Sequence, residues 1–191
     1  VQRQMAGSLF NGRAQGSFFA PVAPRLSPGR GPEGPTAALR DLIAGAEAGP
    51  AGYDAVHHGA GRKPPRAPSR MTLDEIRAWI RATPGQNHAI GRYQMIPGTL
   101  DHVAERLGIG GQEVYDARVQ DRMADFLLEQ AGYSGFLGGA LSRVGFMNNL
   151  AKVWAGLPNS TGKSHYHGIA GNRAVLSWAA FDAAMTEIFE S

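Results

Sequence analysis

Glu47 stands four residues past Ile43 and eight past Leu39, at the far end of an apolar stripe those residues share with Leu42 and Ala46. At helical period this spacing continues the buried face and not the solvated one. A carboxyl group on such a face loses hydration, so its neutral form persists toward the pH at which it can donate a proton to a leaving oxygen. The bland alternative is a helix-end glutamate that has swung into water. About forty residues on, Gly91-Arg92-Tyr93-Gln94-Met95 reads as a glycine-hinged turn with a helix starting behind it at Pro97. Gly91 is expected to take a left-handed conformation or to let the backbone approach the sugar closely. Tyr93 and Gln94 offer a flat amphipathic ring and an amide, which suit sugar hydroxyl and acetamido groups. One acid facing this polar turn is the minimum of a sugar-cleaving cleft.

The elements that must hold the pair can be read from periodicity and punctuation. A first helix is predicted over about 35–48, started by Pro35 and stopped by Gly49-Pro50. Residues 53–56 (Tyr-Asp-Ala-Val) read as a short strand. A proline-rich basic loop over 62–70 follows, incompatible with helix or central strand. Thr72 and Glu75 form a capping box for a second helix carrying Ile76, Trp79 and Ile80, with Met71 as a staple. A third helix runs from Pro97 to Gly108 and a fourth from an Asp116 cap to Gly132. Residues 135–145 read as loose; Phe146, Leu150, Val153, Trp154 and Leu157 mark a fifth helix, and Asn172 is expected to cap the last. This is an α+β fold, mainly helical, with a small extended or β insert after the first helix. Residues 1–34, rich in Gly, Pro and Arg, read as an arm or linker partly packed on the domain through Phe10, Phe18 and Phe19; 35–191 form the domain.

Composition bounds the chemistry. The chain has 191 residues, 43% hydrophobic and 18% charged, enough for one core. It has no cysteine, which removes disulfides, thiolate catalysis and cysteine-based zinc sites. No apolar run reaches the length of about 18 residues that spans a bilayer, so no stable membrane insertion is expected. A net charge of +3 suits an anionic partner. The basic residues concentrate over 62–92 (Arg62, Lys63, Arg66, Arg70, Arg77, Arg81, Arg92), the side carrying the Gly91 turn. Nucleic acid is not expected, because the aromatic interleaving of single-strand binders is missing. Gly162-Lys163-Ser164 lacks the upstream glycine and strand of a phosphate-binding loop, Leu157 standing where that glycine belongs. His57, His58, His165 and His167 complete no metal-ligand pattern and read as surface or substrate-contact residues; no metal and no cofactor are called for. The three tryptophans lie on apolar helix faces, so core packing precedes sugar stacking as their reading.

With Glu47, Gly52-Tyr53-Asp54-Ala55-Val56, the Gly91–Met95 turn and Val153-Trp154-Ala155-Gly156-Leu157-Pro158, the chain resembles the phage-lambda-type endolysins and related bacterial muramidases of the lysozyme-like superfamily. The matches keep the family's order and cover about 35–191. The resemblance implies cleavage of the β-1,4 bond between N-acetylmuramic acid and N-acetylglucosamine in peptidoglycan, with Glu47 as general acid/base. It implies substrate contacts at Tyr53, Asp54, Arg92, Tyr93 and Gln94, and Tyr166 is the candidate for the family's substrate-contacting tyrosine. The 159–168 segment is longer than the phage pattern. The implied partners are peptidoglycan glycan strands, with a secretion, flagellar or phage-lysis machinery as possible host and a periplasmic or secreted location that follows from the substrate. Three outcomes stay open: a lytic transglycosylase giving 1,6-anhydro products, a hydrolytic muramidase using water, and a non-catalytic wall-binding or assembly-scaffold domain. Asp54, the acid in the extended insert, is either a second catalytic carboxylate or a structural acceptor of backbone N–H bonds.

Overall fold

Helix α1 (Gly34–Glu47) buries Leu39, Leu42, Ile43 and Ala46 almost completely. Each large aliphatic side chain so removed from water contributes about 1.5–3 kcal/mol. The computed structural model describes residues 34–168 and 172–190. The packing expected of Phe10, Phe18 and Phe19 therefore lies outside the described residues. Packing against α1 are α4 (Ala117–Gln130), α7 (Trp178–Phe189) and the 3₁₀ segment Gly49–Asp54. Between the 3₁₀ segment and α4 the chain forms α2 (Leu73–Ala82) and α3 (Pro97–Leu107). Beyond α4 come the short α5 (Tyr133–Leu137) and α6 (Arg143–Val153). The fold is mainly helical, and its side chains share one apolar core.

The caps account for the helix starts. Thr72 accepts from the Glu75 N–H while the Glu75 carboxylate accepts from the Thr72 N–H, the reciprocal box that starts α2. Asp116 caps α4 by accepting from Val119 N–H. Met71 and Ile76 are both fully buried, in keeping with the expected staple. Trp79 and Trp154 are core residues.

Four expectations are corrected. The expected fifth helix, α6, does not reach Leu157: it ends at Val153, where Trp154 turns extended and Leu157 sits in the turn beyond. The insert after α1 is not a β element: among the described residues the extended pairings are isolated bridges, such as Val56 with Ile90 and Ile90 with Met95. Residues 49–54 form 3₁₀ turns, started by Pro50 and kinked at Gly52, whose φ of +53° is non-helical, and extended backbone begins at Ala55. Residues 135–145 are not wholly loose, since α5 forms there. Its Phe136 stacks on Phe146 of α6 at 4.9 Å and meets Phe189 of α7 edge-on at 5.0 Å. Asn172 does not cap the last helix. Ser177 does, accepting from Ala180 N–H, because Val175 donates its N–H to Gly156 O and holds the preceding segment out of helix.

Candidate functional site

The last residue of α1 is Glu47, where the helix has run out of its own hydrogen-bond donors. The carboxylate is met there by a turn 109 residues away: Gly156 N–H donates to Glu47 Oε1 at 2.8 Å. This approach requires glycine. A Cβ on residue 156 would stand 2.7 Å from Ala46 O and 3.0 Å from Glu47 Oε1. The other side of the same residue is also fixed, because Val175 N–H donates to Gly156 O at 2.8 Å. Burial pushes the Glu47 carboxyl up to about 7, and the Gly156 N–H opposes that rise. Among the described residues no cation pairs with it. Glu47 itself keeps a partly exposed edge. The end of α1 therefore carries an acid that titrates near neutrality, held in one orientation by a backbone donor, on a residue that is only half-buried as a whole.

The Gly91 turn follows from a second set of contacts. Ile90 pairs with Met95, and Gly91 N–H donates to Ala55 O at 2.7 Å, joining the turn to the segment that leaves α1. Gly91 has φ +78°, the left-handed conformation expected of it. The close approach it permits is to protein: a Cβ there would lie 2.5 Å from Gln120 Oε1 and 2.8 Å from the Tyr115 ring. Gln120, fully buried on α4, accepts from Arg92 N–H and donates to the carbonyls of Tyr53 and Tyr115. Gln94 also has a positive φ, +45°, and its side-chain amide donates to Gly91 O.

Three of the expected substrate contacts meet in one polar network, with Tyr93 buried and Tyr53 and Arg92 partly exposed. Tyr93 is only 1% exposed and donates its hydroxyl to Asp121 at 2.6 Å, so it does not offer its ring to a sugar. Tyr53 donates to the same carboxylate at 3.0 Å. Arg92 donates to the Tyr53 hydroxyl at 2.9 Å, pairs with Asp41 on α1 and lies over both phenol rings. Burial, and then the Asp121 hydrogen bond, push the Tyr93 phenol far up, and both phenols stay protonated. Arg40 of α1 completes the network against Asp125 at 2.8 Å and Asp121 at 3.9 Å. Asp121 and Gln120 were missed as organising residues. Gln120 had a sequence signal, because it lies on the buried stripe of Ala124, Leu127 and Leu128. Asp121 had none beyond being a helix acid.

Asp54 is exposed and accepts from Ser69 N–H at 2.9 Å, acting as a structural acceptor of a backbone N–H. Tyr166 donates its hydroxyl to Lys152 O at 2.6 Å, which ties its loop to the last turn of α6, four residues before Gly156. Gly162-Lys163-Ser164 belongs to a hairpin in which Pro158 bridges Ser164, with no phosphate-loop geometry. His57 is not a surface residue: it is 8% exposed, and its Nδ1 accepts from Gly59 N–H. The basic stretch is partly neutralised, with Arg66 on Glu75, Arg77 on Asp74 and Asp101, and Arg92 on Asp41. Among the described residues no group of three or more His, Asp or Glu is arranged to hold a metal ion, and no helix is long and apolar enough to cross a membrane. Comparison with protein-family models, with curated proteins and with solved structures returned no match.

Proposed function

We propose that this chain is a peptidoglycan-cleaving enzyme with a lysozyme-like domain, in which Glu47 protonates the oxygen of the β-1,4 bond between N-acetylmuramic acid and N-acetylglucosamine. The observation that carries the reading is the state of Glu47: a carboxyl raised to about 7 by burial, oriented by one backbone N–H, on a residue with an exposed edge. A structural helix-end glutamate has no need of that combination. The resemblance of four ordered motifs supplies the substrate class. Gln94, partly exposed on the Gly91 turn, and Tyr166, partly exposed beyond Gly156, are the side chains retained as sugar contacts. Tyr53, Arg92 and Tyr93 act as the frame behind them.

The favoured reaction is a lytic transglycosylation. Asp54 is committed to Ser69 N–H, which favours a route without a second carboxylate. Glu47 gives its proton to the glycosidic oxygen, the C1–O bond breaks, and its electron pair leaves with the N-acetylglucosamine alcohol. The acetamido carbonyl of muramic acid assists at C1. The sugar's own 6-hydroxyl oxygen then bonds to C1 as the acetamido oxygen leaves it with its electron pair, and yields its proton to the Glu47 carboxylate, which restores the acid. Action on the wall implies a periplasmic or secreted setting, and the exposed cations Arg62, Lys63 and Arg70 suit retention on an anionic polymer.

Mass analysis of muropeptides released from purified peptidoglycan tests both layers. Wild-type protein is expected to release 1,6-anhydro ends, each one water lighter than a reducing end. Predominantly hydrated ends would replace transglycosylation with lysozyme-type hydrolysis. Absence of release, with binding retained, would leave the non-catalytic wall-binding domain.

A further inference from the structure

The contact between Gly156 and Glu47 joins two distant parts of the chain at the proposed acid. Trp154 and Leu157 are buried on either side of Gly156, and Leu157 N–H donates to Trp154 O, so the turn has little freedom. Its N–H points at Glu47 Oε1 at 2.8 Å, and its carbonyl is held from behind by Val175 N–H at 2.8 Å. Any side chain at 156 would run into Ala46 O and Glu47 Oε1. Gly156 is therefore fitted to Glu47 from three directions.

We infer that the Gly156 peptide is the positioning group of the reaction proposed above, reserving Oε1 of Glu47 as acceptor so that the transferable proton resides on Oε2. In a neutral carboxylic acid the carbonyl oxygen is the better acceptor and the hydroxyl oxygen carries the donor. An N–H fixed on Oε1 selects that tautomer and the direction of donation. After transfer the same N–H remains on the carboxylate and steadies the charge left behind. Oε2 is then the atom that gives the proton to the leaving oxygen and receives one from the attacking hydroxyl. The segment before α7 reaches the acid through this peptide, since Val175 holds Gly156 and Gly156 holds Glu47.

The test removes the donor without changing the shape. Replacing Gly156 by glycolic acid converts its amide to an ester, and Glu47 labelled at its carboxyl carbon is titrated by NMR. The midpoint is expected to rise by on the order of one pH unit, because a hydrogen bond to the charged form is lost. Muropeptide release is expected to fall about tenfold or more, with its alkaline limb moved upward. The matching ester at Val175 removes the donor behind Gly156 and should leave the Glu47 midpoint near the wild-type value. Gly156→Ala, checked by thermal melting, should also raise the midpoint. A folded Gly156 ester protein with an unchanged Glu47 titration would overturn the inference, as would an equal shift in the Val175 ester. If the midpoint rises as expected but wild-type protein releases no muropeptide, the positioning of Glu47 stands and the proposed reaction falls.

Discussion

Glu47 keeps its proton at the expense of the fold. Its carboxyl titrates at about 7 in the folded protein against 4.5 as the unperturbed value. Between those two pH values the folded chain holds a proton that the unfolded chain has released. Stability from this group is therefore greatest below about 4.5 and falls as pH rises to about 7, beyond which the whole penalty is present. Glu47→Gln keeps the acceptor for Gly156 N–H and removes the titration. The variant should equal wild type at about pH 4 and below and exceed it at pH 8 by up to about 3 kcal/mol in urea unfolding. Its wall cleavage should fall by about two orders of magnitude or more. A variant no more stable than wild type at pH 8 would mean that burial does not strain this acid. Gln94 poses a second residue-scale question, because among the described residues it is the one non-glycine with a positive φ. Gln94→Ala keeps the backbone strain and loses the amide bond to Gly91 O, whereas Gln94→Gly loses the bond and relieves the strain. Thermal melts should therefore rank the Gly variant above the Ala variant by about 1 kcal/mol.

Four elements meet at Asp121. It receives the hydroxyls of Tyr53 from the 3₁₀ segment and Tyr93 from the Gly91 turn, with Arg40 of α1 and Arg92 beside it, while its own helix α4 also supplies Gln120. The network registers the turn against α1 and so sets where Gln94 can stand. Because these groups are partly buried, their polar contacts are worth more than surface pairs and are costly to break singly. Asp121→Ala leaves the Tyr53 and Tyr93 hydroxyls short of an acceptor, removes a carboxylate 3.9 Å from both Arg40 and Arg92, and should cost about 2–4 kcal/mol in equilibrium unfolding. Tyr93→Phe separates the frame reading from the sugar-contact reading. It should cost about 1–2 kcal/mol of stability while substrate KM stays within about twofold of wild type. A large rise in KM with unchanged stability would return Tyr93 to the cleft wall.

For the molecule as a whole, charge is less one-sided than the basic stretch over 62–92 implied, because Arg66, Arg77 and Arg92 are paired. Arg62, Lys63, Arg70 and Arg81 remain exposed. Retention of the Glu47→Gln protein on insoluble peptidoglycan should weaken between about 0.05 and 0.5 M salt, and a pelleting assay measures it. The helices, their apolar faces, the Thr72–Glu75 box, the Asp116 cap and the place of Glu47 at the end of α1 were legible in the chain, because each depends on spacing within a few residues. The left-handed Gly91 was legible for the same reason. The short α5 was not, since Phe136 is held by Phe146 and Phe189 from other helices. Nor was the burial of Tyr93, because an aromatic in a polar turn reads as exposed until Asp121, 28 residues away, supplies its hydroxyl with a partner. By itself the sequence determined which residue could be the acid. The tertiary structure alone decided that Gly156, 109 residues distant, would hold it. Helix periodicity is a local property of the chain, whereas a backbone donor is carried by every residue but proline and can be assigned to an acceptor only once the fold brings the two together.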